Sequence, residues 1–361
     1  MRLLPDPDAI LDSATNGFDL LFGEGPADLT RQPSSIIDEG PQRIVHRYRR
    51  GRHGKPRHGP VLLVPPLAAP ASCFDLRRGC SLAEHLIGLG YPTYLVDYGP
   101  ISFSDRALGL EHWVEDVLPA ALRVVSDDAG GVPVQPVGWC LGGIMLLLAV
   151  ASDKSLPVAS ISLVASPFDF TRVRMMAPIR RLAQLTGGRL GTALYRMLGG
   201  APAPLVSIGF QLTGFDRYLT RPLFLARNLH DRDTLAHMQA VDDYMANMFA
   251  YPGRTFGQLY HDFFRVNALA GGTLELSDRK IEMGAVEAPV LSVAGGADVL
   301  APRDAVHHVG ELLRGAPAVR LETAPGGHLG VLTGRSARRN TWRYLDEFLA
   351  AHEPVRRPRA A

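Results

Sequence analysis

Gly138-Trp139-Cys140-Leu141-Gly142-Gly143 is the segment that most restricts what this chain can fold into. It follows the apolar run Val134 to Val137 and leads straight into the apolar stretch Leu141 to Ala151. A strand must therefore become a helix within one or two residues. So tight a turn leaves no room for side chains two residues before and two after its apex, hence Gly138 and Gly142, and it strains the backbone of the apex residue itself. Cys140, at the apex, then stands at a helix N-terminus. Unpaired N–H groups and the helix dipole there favour the thiolate, the form of cysteine that attacks. A buried cysteine between chance glycines is the competing reading, and the surrounding pattern decides between the two.

That pattern is α/β. Arg43 to Tyr48 alternates polar and apolar residues as a half-exposed strand does, and Val61 to Val64 is a short buried strand. A helix over Ser81 to Leu89, a strand over Thr93 to Asp97 and a helix over Glu111 to Asp127 lead to the strand Val134 to Val137. The helix from Leu141 and the strand Val158 to Ala165 follow. Strands that are continuously apolar and alternate with helices predict a mostly parallel sheet covered on both faces. The rhythm stops near Phe168 and returns with strand Val290 to Ala294, helix Arg303 to Leu313, strand Ala318 to Thr323 and helix Arg338 to His352. The expected organisation is an irregular N-terminal extension (1–42), a core in two pieces (43–170 and 275–352), a helical insertion (171–274) above the C-terminal edge of the sheet, and a basic tail (353–361). The basic turn Arg49 to Arg57 reads as a solvated loop.

In a sheet of this kind a nucleophile after a central strand is served by an acid and then a histidine, each on a loop after a later strand. Both are present. Asp298 lies in Gly295-Gly296-Ala297-Asp298-Val299-Leu300-Ala301-Pro302, and His328 in Pro325-Gly326-Gly327-His328-Leu329-Gly330. Either residue alone is ordinary turn chemistry. Three residues in the required order, each at the end of an expected strand, point together to an α/β-hydrolase fold with a helical lid. His328 then takes the proton of Cys140, and Asp298 fixes the imidazole tautomer and stabilises its charged form. The oxyanion hole is expected from the backbone N–H of Leu141 and from the loop after Val61 to Val64, around Leu67 or Ala68. Cys73 and Cys80 have no such turn, and His307 and His308 read as ordinary helix residues. A thiolate that accepts an acyl group from a thioester forms another thioester, so the acyl-enzyme stays activated and favours transfer to an alcohol over simple hydrolysis.

Bulk properties narrow the function classes. Over 361 residues the hydrophobic fraction is 46%, the charged fraction 20% and the net charge +2. These values suit a globular protein and give no electrostatic reason to expect nucleic-acid binding. Three unpaired cysteines suit a reducing compartment and offer no metal-ligand spacing. Pro5, Asp6, Pro7 and Asp8 interrupt any export-signal pattern, and the longest apolar stretch, Ile144 to Ala151, is too short to span a bilayer. A cytoplasmic protein without a transmembrane segment, metal or cofactor is expected.

Several segments resemble polyhydroxyalkanoate synthases. They are the box Gly138 to Gly143, the run Gly296-Ala297-Asp298-Val299-Leu300-Ala301-Pro302, Gly327-His328-Leu329-Gly330, and Val64-Pro65-Pro66 followed by Phe74-Asp75-Leu76. Tyr94 to Gly99, Asp105 to Leu108 and Leu110 to Trp113 are similar to the short, two-subunit class III synthases. Pro252 to Phe256 and Phe263 to Asn267 resemble the family's return to the core. The resemblance implies transfer of 3-hydroxyacyl groups from CoA to a growing polyester through Cys140, Asp298 and His328, with the insertion as a lid. The partners it implies are the acyl-CoA substrate, a homodimer or second synthase subunit, and a polyester granule surface. The sequence departs from the family at Ala69 and Pro70, where Asn and a basic residue are usual, at Tyr98, where Trp is common, and in Tyr244 to Met248, which has no Trp. Single acyl transfer, ester or thioester hydrolysis and a non-catalytic binding role are the readings set beside polymerisation.

Overall fold

A computed structural model describes residues 7–49, 58–177, 200–212 and 215–354. Most of the basic turn and the arginines of the basic tail lie outside the described residues. Eight strands form one sheet: β1 (Ser34–Gly40), β2 (Arg43–Tyr48), β3 (Val61–Val64), β4 (Thr93–Asp97), β5 (Gln135–Trp139), β6 (Ile161–Val164), β7 (Val290–Gly295) and β8 (Val319–Ala324). Their order across the sheet is β1-β2-β4-β3-β5-β6-β7-β8. β1 and β2 run antiparallel to their neighbours, and every pairing from β4 to β8 is parallel.

β3 shows why the strands read as unbroken apolar runs. Leu62 and Val64 enter the core on one face, Val61 and Leu63 the core on the other, and all four are fully buried. A strand covered on both sides has no polar phase. The helix Leu141–Ser152 is likewise apolar all round, with every residue from Leu141 to Ala151 buried. Helix Leu82–Leu89 begins where Ser81 accepts from the Glu84 N–H at 3.0 Å, and it ends at Gly90, whose φ of 98° is open to glycine at no steric cost.

Three stretches differ from the sequence expectation. The sheet gains β1, which pairs with β2 through the turn at Pro41 and Gln42. A register shift between Ile36 and Asp38 breaks the period-2 pattern that would have marked this strand. The helix expected over Glu111 to Asp127 opens with a π-turn, His112–Val117, before regular helix over Leu118–Asp128. Pro119 lacks the N–H that the α-helical ladder needs at that point, and a wider turn accommodates its ring. A hairpin, Thr273–Leu276 with Arg279–Glu282, turns at Ser277 and Asp278, whose positive φ values of 47° and 59° carry no glycine signal.

The insertion contributes helices Ala203–Leu212, Phe215–Asn228, Arg232–Ala246 and Gly253–Gln258. Helix Arg232–Ala246 is tied to the core at its start. Asp231 caps it, Arg77 pairs with Asp233 at 2.5 Å, and Arg335 pairs with Asp231 at 2.6 Å and Asp233 at 2.8 Å. Among the described residues no helix is long and apolar enough to cross a membrane.

Candidate active site

The strand order reverses around β3 and β5, and in open α/β sheets ligands bind beyond the carboxyl ends of the strands at such a point. Cys140 follows β5 directly, while Leu67 and Ala68 follow β3. Val64 and Gly138 are register partners, so the two loops leave the sheet side by side.

Cys140 has φ 55° and ψ −125°, a conformation that L-residues avoid, and its N–H is held by the Val164 carbonyl at 2.9 Å. The flanking glycines are sterically required. A Cβ on Gly138 would lie 2.5 Å from the Gly143 Cα. One on Gly142 would overlap the Pro65 carbonyl oxygen and lie 2.5 Å from that of Val64. Cys140 is half-buried and packs against the core clusters on both faces of the sheet.

The carboxylate and the imidazole come from loops far apart in the chain. Asp298 Oδ2 and His328 Nδ1 are 2.8 Å apart. Asp298 Oδ1 accepts from the N–H groups of Leu300 and Ala301 at 2.9 and 2.8 Å, so the carboxylate cannot rotate freely. Trp139, the residue before the cysteine, donates from Nε1 to the His328 carbonyl at 3.3 Å and lays its ring against the imidazole, with centroids 5.2 Å apart. His328 Nε2 is buried, and the Cys140 thiol is the side chain within its reach. Burial opposes protonation of this imidazole, but Cys140 and Asp298 outweigh it and raise its proton affinity well above the ordinary value. The arrangement suits a group that takes a proton from a thiol and holds it beside a carboxylate.

The other cysteines have a different character. Burial pushes both thiols up, that of Cys73 far up, and Cys80 Sγ donates to the Thr333 carbonyl at 2.6 Å. Both are buried.

Leu141 is the first residue of its helix, so its N–H lies outside the intrahelical ladder. Ala68 has φ 61°, and its carbonyl accepts from the Phe249 N–H at 2.9 Å. The loop after β3 is therefore clamped by the insertion. A small cavity beside it is lined by Leu67, Ala69, Tyr98, Ile101 and Phe249. Ala69 and Tyr98 are two of the positions at which the sequence departs from the synthases. Sequence reasoning missed Phe249, together with Tyr244 and Tyr251, whose buried phenols feel the charge of Cys140 from the insertion side. It also missed the Leu300 and Ala301 amides. No local signal marks Phe249, Tyr244 or Tyr251, because each acquires its place through chain-distant contact, whereas the two amides belong to the turn that Asp298 itself opens. Among the described residues no cluster of three or more His, Cys, Asp or Glu side chains is arranged to hold a metal ion.

Comparison with known proteins bears on the fold and on overall likeness. The chain is 24% identical over 300 residues to the poly(3-hydroxyalkanoate) polymerase subunit PhaC of Haloarcula marismortui, covering 80% of this chain and 60% of that protein. It is 23% identical over 292 residues to the Haloferax mediterranei counterpart, covering 81% and 58%. The Allochromatium vinosum subunit is 23% identical over 338 residues, covering 92% of each. The chain thus spans about three fifths of the two haloarchaeal relatives and nearly all of the bacterial one. Its architecture matches a thermostable carboxyl esterase from Bacillus coagulans, with a TM-score of 0.55 at 15% identity over 90% of this chain and 99% of that one. Mouse alpha/beta hydrolase domain-containing protein 10 matches with a TM-score of 0.51 at 15% identity over 88% and 99%. This is an α/β-hydrolase-fold chain similar to polyhydroxyalkanoate polymerases. No protein-family model matches it.

Proposed function

We propose that the protein is an acyltransferase that carries a 3-hydroxyacyl group from CoA on the Cys140 sulfur and passes it to a hydroxyl acceptor. The observation that carries this reading is the buried His328, bonded through Nδ1 to Asp298 and left open at Nε2 towards Cys140. The similarity to poly(3-hydroxyalkanoate) polymerase subunits supplies the acyl class.

In the first half-reaction His328 Nε2 takes the thiol proton, and the thiolate attacks the carbonyl carbon of the thioester. The negative charge gathers on the carbonyl oxygen, which the N–H groups of Leu141 and the Leu67–Ala68 turn stabilise. The C–S bond to CoA breaks, and the CoA sulfur leaves with the proton held on His328. In the second half-reaction His328 takes the proton of the acceptor hydroxyl. Its oxygen attacks the acyl carbon, and the Cys140 sulfur leaves and recovers that proton. Asp298 holds the imidazole in the useful tautomer throughout. CoA thioester is the substrate, no cofactor enters, and the cytoplasm is the proposed compartment. A homodimer or second subunit, and a polyester granule surface, are the proposed partners.

Purified protein incubated with 3-hydroxybutyryl-CoA tests this. Expected are CoA release, an acyl mass increment on Cys140 and ester-linked products, all abolished in Cys140→Ala. Release accompanied only by free 3-hydroxybutyrate supports the second reading, a hydrolase with the same three residues. That reading is favoured by the departures at Ala69 and Tyr98 in the cavity wall. Activity unchanged in Cys140→Ala overturns both and leaves a binding role.

A further inference from the structure

β8 is the last strand of the sheet, and no described strand pairs with its outer edge. On the inner side Val290 and Gly296 donate their N–H groups to the carbonyls of Ala318 and Ala324 at 2.9 Å. Backbone groups alternate sides along a strand, so Arg320 and Glu322 also bond towards β7. Val319, Leu321 and Thr323 turn their N–H and C=O groups outward. Among the described residues nothing bonds to those outward groups.

Such an edge is a template for another chain, and proteins commonly blunt it with a bulge, a proline or free charges. β8 has none of these. Its register with β7 is unbroken from Val319 to Ala324, and it holds no proline. Its two charged side chains are already engaged, since Arg320 meets Glu322 and, on helix Thr341–Ala351, Glu347, each at 2.8 Å. Leu321 points to the opposite face, against Gly310, where an added Cβ would lie 3.1 Å from its Cδ1. It is nevertheless 41% exposed. Val319 and Leu321 border an open groove of about 380 Å³ that Gly310, His307, Glu311 and Arg172 also line.

We propose that β8 is the interface of a homodimer, pairing antiparallel with β8 of a second copy about a two-fold axis at Leu321. This gives the homodimer named above its surface and rests on that partner reading, while the acyl chemistry at Cys140 is independent of it. The run Val319-Arg320-Leu321-Glu322-Thr323 is complementary to itself in that register. Leu321 lies opposite its own counterpart, and Val319 opposite Thr323. These are the residues whose backbone groups face outward, so each such pair exchanges two hydrogen bonds. The apolar side chains of the second copy then enter the open groove. On the other face Arg320 stands opposite Glu322 of the second copy, and Glu322 opposite its Arg320, which adds attraction across the axis.

Sedimentation equilibrium of the full chain across the micromolar range tests the assignment. Wild-type protein is expected to dimerise. Arg320→Glu and Glu322→Arg each set like charges opposite one another on both sides of the axis, and each should weaken the dimer by about ten-fold or more. Mixing the two variants returns opposite charges to register and should restore the wild-type affinity as a heterodimer. Leu321→Pro removes an outward N–H without touching the bonds to β7, and should leave a folded monomer. Alkylation of Cys140 by iodoacetamide should keep its wild-type rate in every variant. A monomeric wild type overturns both the edge interface and the homodimer reading. A dimer that all three variants retain overturns the edge interface alone. Loss of the dimer in both charge variants without recovery on mixing also overturns it, because matched charges across the axis would then not be the cause. Open-ended assembly overturns it as well, since an isologous pairing closes with the second copy.

Discussion

Protonation of His328 is set by opposing contributions: burial disfavours the imidazolium, while Cys140 and Asp298 favour it and prevail. The imidazole therefore keeps its proton to higher pH than a free histidine. Asp298→Asn removes the carboxylate that favours the charged ring and lets the wrong tautomer form. Acylation by a thioester should fall by about 100-fold or more, and the alkaline limb of the pH–rate profile should move to lower pH. An unmoved limb would mean that Asp298 does not govern the titration. The same raised proton affinity stabilises the folded state fully below the unfolded-state value of about 6.5, and that contribution is lost as pH rises through the folded-state value.

The elements carry a second layer of control, because the insertion grips the site at two places. At one, the Phe249 N–H holds the Ala68 carbonyl and with it the turn proposed to supply an oxyanion donor. Phe249→Pro removes that donor while leaving Cys140, Asp298 and His328 in place. The expected result is about a ten-fold loss in kcat/KM, equivalent to roughly 1.4 kcal/mol, with little change in Cys140 alkylation; unchanged acylation would show that the clamp is idle. At the other, Arg335 and Arg77 meet Asp231 and Asp233 at the start of helix Arg232–Ala246. The Arg335 hydrogen bond leads the effects that hold the Asp231 carboxyl well below the usual range. Asp233, despite its desolvation, is also lowered, by Arg77 and Arg335. Carboxylates depressed in the folded state stabilise it above about pH 4 and lose that contribution as pH falls through their folded values. Arg335→Ala should therefore lower stability at pH 7 by about 0.5–1 kcal/mol, a difference that shrinks below about pH 4. Urea midpoints measured across that range would check it.

Across the whole molecule, two apolar clusters, one on each face of the sheet, hold the loops in register, and Cys140 packs against both. The helix Leu141–Ser152 is the axle of one cluster, and Leu146 within it is fully buried. Leu146→Ala should cost about 2–5 kcal/mol, read as a lowered urea midpoint, with the acylation rate of the folded fraction unchanged. An equal loss of rate would mean that the nucleophile's turn depends on packing at the middle of its helix.

Chemistry that local chain geometry imposes was legible in the residues alone. Gly138 and Gly142 mark a turn with no room for side chains, and Cys140, Asp298 and His328 follow strands whose continuous apolar runs mark a sheet covered on both faces. Those signals rest on short-range sterics and periodicity, which any stretch of sequence carries with it. β1, the hairpin at Ser277 and Asp278 and the π-turn before Pro119 were not legible, since a register shift, a glycine-free turn and a helix irregularity leave no periodic trace. Tertiary contact alone decided that Phe249 would clamp Ala68, that Trp139 would hold the His328 loop, and that Tyr244 would be buried against Trp139. Each of those contacts joins residues far apart in the chain, and no sequence pattern records which distant groups will be packed together once water is excluded between them.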